Sequence, residues 1–178
     1  MTAPSEVVSF WSEAGPRRWF RQDDAFDAEF RRRFLAAHEA AVAGELADWA
    51  GSAPGALALV LLLDQFPRNA FRGTARMYAS DAQARAAADA AVERGLDRAV
   101  DAPLRQFFYL PFMHSEHLPD LERCVALNRA LGGESLRYAL HHRDIIERFG
   151  RFPHRNAVLG RPGTPEEERF LAEGGFSG

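Results

Sequence analysis

Ser52-Ala53-Pro54-Gly55-Ala56-Leu57-Ala58-Leu59-Val60-Leu61-Leu62-Leu63-Asp64-Gln65-Phe66-Pro67 decides the fold class. A serine followed by proline marks a helix start, because the hydroxyl satisfies an orphan N–H and proline is tolerated in the first turn. From Ala56 to Leu63 the sequence is apolar without interruption. A helix built from it has no solvent face and needs neighbours on every side. Eight such residues fall far short of the ~20 that span a bilayer, so the cover is protein. Asp64 lies in the last turn of the helix Leu57 to Phe66, where the partial negative charge of the carbonyls disfavours it and asks for a cation. Arg68 and Arg72 are the nearest. Phe66-Pro67 then predicts an extended exit, since proline disfavours the α region for the residue before it.

Working outward, helical spacing recurs in both directions. Pro4 to Ala14 carries Val7, Val8, Phe10 and Trp11. Asp23 or Asp24 is an N-cap for a helix in which Phe26, Phe30, Phe34 and Leu35 recur. Gly44 interrupts it, and Leu46 and Trp49 form a short amphipathic turn. Ser80-Asp81-Ala82-Gln83 reads as a capping box opening a helix to about Leu96. Leu104 to Met113 is strongly aromatic and should kink or end at Pro111. Pro119 to Leu131 and Glu134 to Phe149 follow, separated by Gly132-Gly133, with Gly150 as a C-terminal cap. Thr164-Pro165-Glu166-Glu167 is a capping box for a final helix, and the chain after Gly174 is expected to be mobile. No segment alternates like a strand. The expectation is an all-α, single-domain antiparallel helical array over residues 1–178.

A chain of this length buries a sizeable core. Its net charge of −3 gives no field for nucleic acid or an anionic membrane, so neither is expected as a partner. All 22 basic side chains are arginine, the residue suited to bidentate pairing with carboxylates and phosphates. The lone Cys124 excludes an internal disulfide and a cysteine-based zinc site, and its helical surroundings predict a small buried hydrophobe. No basic segment leads into an apolar run at the N-terminus, so a cytoplasmic location is expected.

Candidate chemistry gathers at a phrase that occurs twice. Phe66-Pro67-Arg68-Asn69-Ala70 is echoed by Phe152-Pro153-His154-Arg155-Asn156-Ala157. At the first, Asp64 either orients Arg68 or Arg72 toward a ligand or is itself neutralised by them while they cap the helix end. At the second, Arg148, Arg151, His154, Arg155 and Asn156 fall within nine residues with only Glu147 nearby, so either distant acids answer them or the site expects an anion. A third group is His114-Ser115-Glu116, where His114 shares a face with Phe107 and Leu110. A histidine and a glutamate two apart can exchange protons with a substrate. His114 and His117 lie three apart, but the usual helical pair of metal-binding histidines is absent, and no metal site is assigned. His142 falls on the apolar arc of Tyr138, Ile145, Ile146 and Phe149, where a titratable ring must find a hydrogen bond. There is no phosphate loop, nucleophile elbow or dinucleotide fingerprint, and no cofactor is indicated.

The phrases Leu62-Leu63-Asp64-Gln65-Phe66-Pro67-Arg68-Asn69, Phe71-Arg72-Gly73, Leu110-Pro111-Phe112 with His114-Ser115-Glu116, and Arg148-Phe149-Gly150-Arg151-Phe152-Pro153-His154-Arg155-Asn156 resemble the uncharacterised bacterial family catalogued as domain of unknown function 924. Phe10-Trp11, Trp19-Phe20 and Phe26-Asp27 extend the resemblance over almost the whole chain. It implies an all-helical fold of the tetratricopeptide-like class and supplies no activity, substrate or catalytic residues.

Two functional expectations follow. In the first, Arg68, Arg72, Arg151 and Arg155 neutralise a small anionic molecule, and Asn69, Asn156 and His154 add directional hydrogen bonds. Asp64 orients the arginines, while His114, Glu116 and His142 are placed for proton transfer. In the second, a tetratricopeptide-like scaffold clamps an acidic peptide in an arginine-lined groove.

Overall fold

A computed structural model describes residues 2–177, and all regular structure among them is helical. Within the domain the chain gathers into two compact units. The first comprises the chain up to Arg72 together with Arg76–Pro111, and the second comprises Gly73–Ala75 and the chain from Phe112 onward.

In the first unit α1 (Pro4–Ala14), α2 (Asp24–Val42) and α4 (Asp81–Glu93) pack around α3, residues 53–70. Residues 55–67 are all buried, as a helix with no polar face requires. Its start follows the reading of the sequence: Ser52 accepts a hydrogen bond from the N–H of Gly55 at 3.2 Å. Gly55 has to be glycine, because a Cβ there would stand 2.0 Å from the carbonyl oxygen of Trp49. The apolar stripe of α2, opened by an Asp23 cap, lays Phe30 against Phe66 at 5.1 Å and against Trp11 at 5.4 Å. Trp11 also meets Phe107 edge-on at 5.3 Å. The aromatic segment breaks as expected: a turn over Gln106–Phe108 ends, and Pro111 enters the first turn of Leu110–Met113.

Two expectations about this unit are corrected. Phe66-Pro67 is not an exit: Phe66 is α-helical at φ −54° and ψ −51°, and the helix continues through Phe66–Ala70. The helix absorbs the proline by widening into a π-turn over Leu61–Gln65, where the N–H of Phe66 reaches back to Leu61 instead of Leu62. Two buried carbonyls thereby lose their α-helical donors. Leu62 loses the N–H of Phe66, and Leu63 loses the N–H that proline lacks. His38 Nδ1 stands 2.8 Å from the Leu62 oxygen, and Ser80 Oγ donates to the Leu63 oxygen at 2.6 Å. Ser80 is therefore not the hydrogen-bonding cap of α4, which also ends at Glu93 rather than near Leu96. The demand of an exposed helix end was weaker than that of a buried carbonyl.

The second unit is built on a helical hairpin, α5 (Leu118–Asn128) and α6 (Gly133–Phe149), followed by α7 (Pro165–Ala172). Leu121, Ile145, Ile146 and Phe152 form its core, with Phe149, Phe170 and Phe176 packed on it. Cys124 is buried in α5. Gly150 closes α6 in the left-handed region at φ +69°, and Phe152 is extended at φ −88° and ψ 111°. Here the Phe-Pro exit is real. The Thr164 capping box forms with both of its hydrogen bonds. At the other end of α7, Gly174 (φ +83°) donates to the Leu171 oxygen and Gly175 to the Phe170 oxygen, turning the chain so that Phe176 lies on α6.

Candidate functional site

The two Phe-Pro phrases belong to different units, and their charges are balanced in different ways. In the first, Arg68 makes a bidentate pair with Asp81 at 2.8 and 3.0 Å, and its Nη1 lies 3.2 Å from Asp64 Oδ1. Gln65 donates to the other Asp64 oxygen at 2.7 Å. Burial opposes the Arg68 charge, but Asp64 and Asp81 overcome it and raise its pKa. Asn69 donates to Asp27 at 2.6 Å, and Arg72 pairs with the same carboxylate at 3.0 Å rather than with Asp64. Three carboxylates thus meet two guanidinium groups. This cluster locks α2, α3 and α4 together and offers an anion no net positive charge.

The second phrase carries a longer network. Glu167, 2% exposed, accepts from Arg151 Nε and Nη2 at 2.6 and 2.7 Å, from the amide of Asn156 at 3.2 Å and from the N–H of Thr164 at 2.8 Å. The Arg151 hydrogen bonds, aided by Thr164, hold its carboxyl at about 2. Arg161 links Asn156 Oδ1 to Glu116 through a second bidentate pair at 2.7 and 2.9 Å. Glu116 also receives the N–H of Phe152 at 2.8 Å. Its partial burial would raise its pKa, but Arg161, the Phe152 N–H and the Arg155 charge outweigh that and lower it. Arg148 pairs with Glu166 at the surface. Glu116 is thus a locked ionic strut between the exit and residues 114–116. Ser115, beside it, donates to Asp120 at 2.6 Å and accepts from the His117 N–H, fixing the entry to α5.

Beside this network the histidines converge. Arg155, 6% exposed, donates to the carbonyl oxygen of His114 at 2.9 Å and lies over the Phe152 ring at 4.6 Å. His142 and His154 both approach Phe152 at 5.6 Å, and Phe176 approaches them at 4.6 and 5.1 Å. His142 Nδ1 lies 2.8 Å from the Tyr138 oxygen, the backbone partner its apolar position demanded. Burial, with His114 and the other rings adding positive potential, pushes it down to about 3. His154 falls to about 4, through burial first and the Arg155 charge second. His154 Nδ1 is buried and has no hydrogen-bond partner among the described residues.

Of the residues singled out in the sequence, Arg151, His154, Arg155, Asn156, His114, Glu116 and His142 come together in the second unit. Asp64, Arg68, Asn69 and Arg72 come together in the first. Three participants escaped the sequence reading: Arg161, Glu167 as a hub rather than only a cap, and His38. His38 continues the stripe Phe26-Phe30-Phe34 at four-residue steps and stacks on Phe66 at 4.8 Å, so periodicity could have found it. Among the described residues no group of three or more His, Cys, Asp and Glu could hold a metal ion, and no helix is long and apolar enough to cross a membrane.

An all-helical protein with ion-pair-locked Phe-Pro phrases and a buried imidazole cluster is the class that this geometry defines. The chain belongs to the family described as bacterial protein of unknown function (DUF924), whose model matches residues 7–175. Among solved structures it is similar to a protein of unknown function, ATU0120, from Agrobacterium tumefaciens. The two are 56% identical, the match covers 96% of this chain and 97% of that one, and the TM-score is 0.95. No curated protein matches the chain.

Proposed function

We propose that the second Phe-Pro phrase, with His154, Arg155, His114 and His142, forms the binding site for a small anionic molecule, and that the first phrase is structural. The observation that carries this is the buried His154 Nδ1, left without a hydrogen bond beside the Arg155 guanidinium. A buried polar nitrogen without a partner is costly, and next to a cation the partner that suits it is an acceptor bearing negative charge. An anion that bonds His154 Nδ1–H and faces the Arg155 charge gives the buried nitrogen its acceptor and draws a proton onto the imidazoles. Asn156, Arg151 and Glu167 hold the exit that presents them. Glu116, committed to Arg161, serves there as a strut and not as the proton donor. His114 and His142 are the groups left for proton transfer, should the bound anion be turned over.

The hairpin of α5 and α6 supports assigning the fold to the tetratricopeptide-like class. The reading as a peptide-binding scaffold is weaker, because Arg68, Arg72, Arg148 and Arg151 already hold carboxylates of their own chain. A thermal-shift screen with inorganic phosphate, carboxylic acids, nucleotides and divalent metals tests the proposal. At least one anion raises the melting temperature of the wild type, and both Arg155→Ala and His154→Gln abolish that rise. No stabilising anion, or a rise that survives both substitutions, refutes it.

A further inference from the structure

A cavity of about 170 Å³ opens in the first unit, lined by His38, Glu39, Val42, Arg76, Ala79 and Ser80. Two of these side chains are the donors recruited by the π-turn of α3. A carbonyl only accepts, so His38 carries its proton on Nδ1, toward Leu62, and keeps a lone pair on Nε2. Burial, helped by the Arg76 charge, lowers its pKa, and the ring is neutral. Ser80 has one proton and gives it to Leu63. What these two buried groups have left to offer a molecule in the cavity is lone pairs. Val42 and Ala79 supply apolar wall. At the rim Glu39 and Arg76 neutralise each other at 3.2 Å, and the Arg76 guanidinium carbon lies 3.9 Å from the centre of the Phe71 ring.

Lone pairs without a formal charge repel an anion, and with Glu39 and Arg76 paired to each other the rim keeps no net charge to draw in an ion of either sign. We propose that this cavity binds a small uncharged molecule that donates a hydrogen bond, a hydroxyl or N–H on a compact apolar frame, to His38 and Ser80. A protein cavity of about 150 Å³ admits benzene, so the space suits a molecule of about six non-hydrogen atoms. The placement follows from Pro67, which frees the two carbonyls that turn the donor sides of both side chains away.

The test compares two isomers that differ only in carrying the donor, 4-methylpyrazole and 1-methylpyrazole, by following the His38 ring resonances in NMR titrations of the whole protein. The expected result is a saturable shift with 4-methylpyrazole at a Kd on the order of 1 mM, and binding at least about tenfold weaker for 1-methylpyrazole. Ala79→Phe, which fills the cavity from an exposed position, abolishes the shift, and Arg155→Ala in the other unit leaves it unchanged. Equal affinities for the isomers, no saturation by about 50 mM, or a shift that persists in Ala79→Phe overturns the proposal.

Discussion

Removing the Ser80 hydroxyl tests the account of the π-turn. Ser80 is 2% exposed and its only proton goes to the Leu63 carbonyl at 2.6 Å. The usual donor to that carbonyl, four residues on, is Pro67, which has no N–H. Ser80→Ala therefore leaves a buried carbonyl without the donor it depends on, at a cost of about 2 kcal/mol. For a chain of this size that lowers Tm by roughly 4–8 °C. The informative measurement is a double-mutant cycle. In a Pro67→Ala background the new N–H can serve Leu63, so the same Ser80→Ala substitution should cost at least about 1 kcal/mol less. Urea unfolding of the four proteins, with m unchanged across the set, gives the numbers. A Ser80→Ala cost within about 0.5 kcal/mol of zero, or the same cost in both backgrounds, refutes the reasoning.

Three further outcomes are expected. Glu167 has its pKa lowered from 4.5 to about 2, so its stabilisation is fully present above pH 4.5 and is lost as pH falls toward 2. That displacement corresponds to roughly 3 kcal/mol, and screening through the partly exposed Arg151 reduces it to about 2. Glu167→Gln should be less stable than wild type by that amount at pH 7, with the gap closing between pH 4.5 and 2 in denaturation series. A constant gap over that range contradicts the linkage. His142 and His154 have lowered pKa values, so the unfolded chain takes up their protons first, and stability falls as pH drops from 6.5 toward 4. The slope contributed by the pair is at most about 2.7 kcal/mol per pH unit. His142→Phe and His154→Phe should flatten it, and NMR titration should find both rings still neutral at pH 5. Finally, Cys124, whose thiol burial pushes up to about 12, should resist thiol reagents at pH 7 until the protein is unfolded. Rapid modification of the native protein would show that α5 opens readily.

Much of the fold was legible because burial writes itself into periodicity. The apolar run of α3, the Phe26-Phe30-Phe34 stripe and the Thr164 box all act through neighbours a turn away, and each is found where its spacing puts it. The two Phe-Pro phrases show where such reading stops. Phe152-Pro153 follows a left-handed Gly150 and is extended, whereas Phe66-Pro67 is held in a helix by tertiary cover and by donors 13 and 29 residues away from Pro67, on Ser80 and on His38 of α2. Local preference lost there to the packing of a helix buried on all sides. Charge pairing was less legible still. Asp27 answers Arg72 from 45 residues away, and Glu116 answers Arg161 from the same separation. Nothing local marks such partners, so counting charges along the chain overstated the positive field at both phrases, and most at the second, where Glu166 and Glu167 take Arg148 and Arg151.

Calorimetry of the stabilising anion, run at pH 6 in buffers of different ionisation enthalpy, measures whether binding draws protons onto the imidazole cluster. The account predicts uptake of about one proton per anion bound, lost together with binding in Arg155→Ala. Binding with no proton uptake, or binding that Arg155→Ala leaves intact, would contradict it.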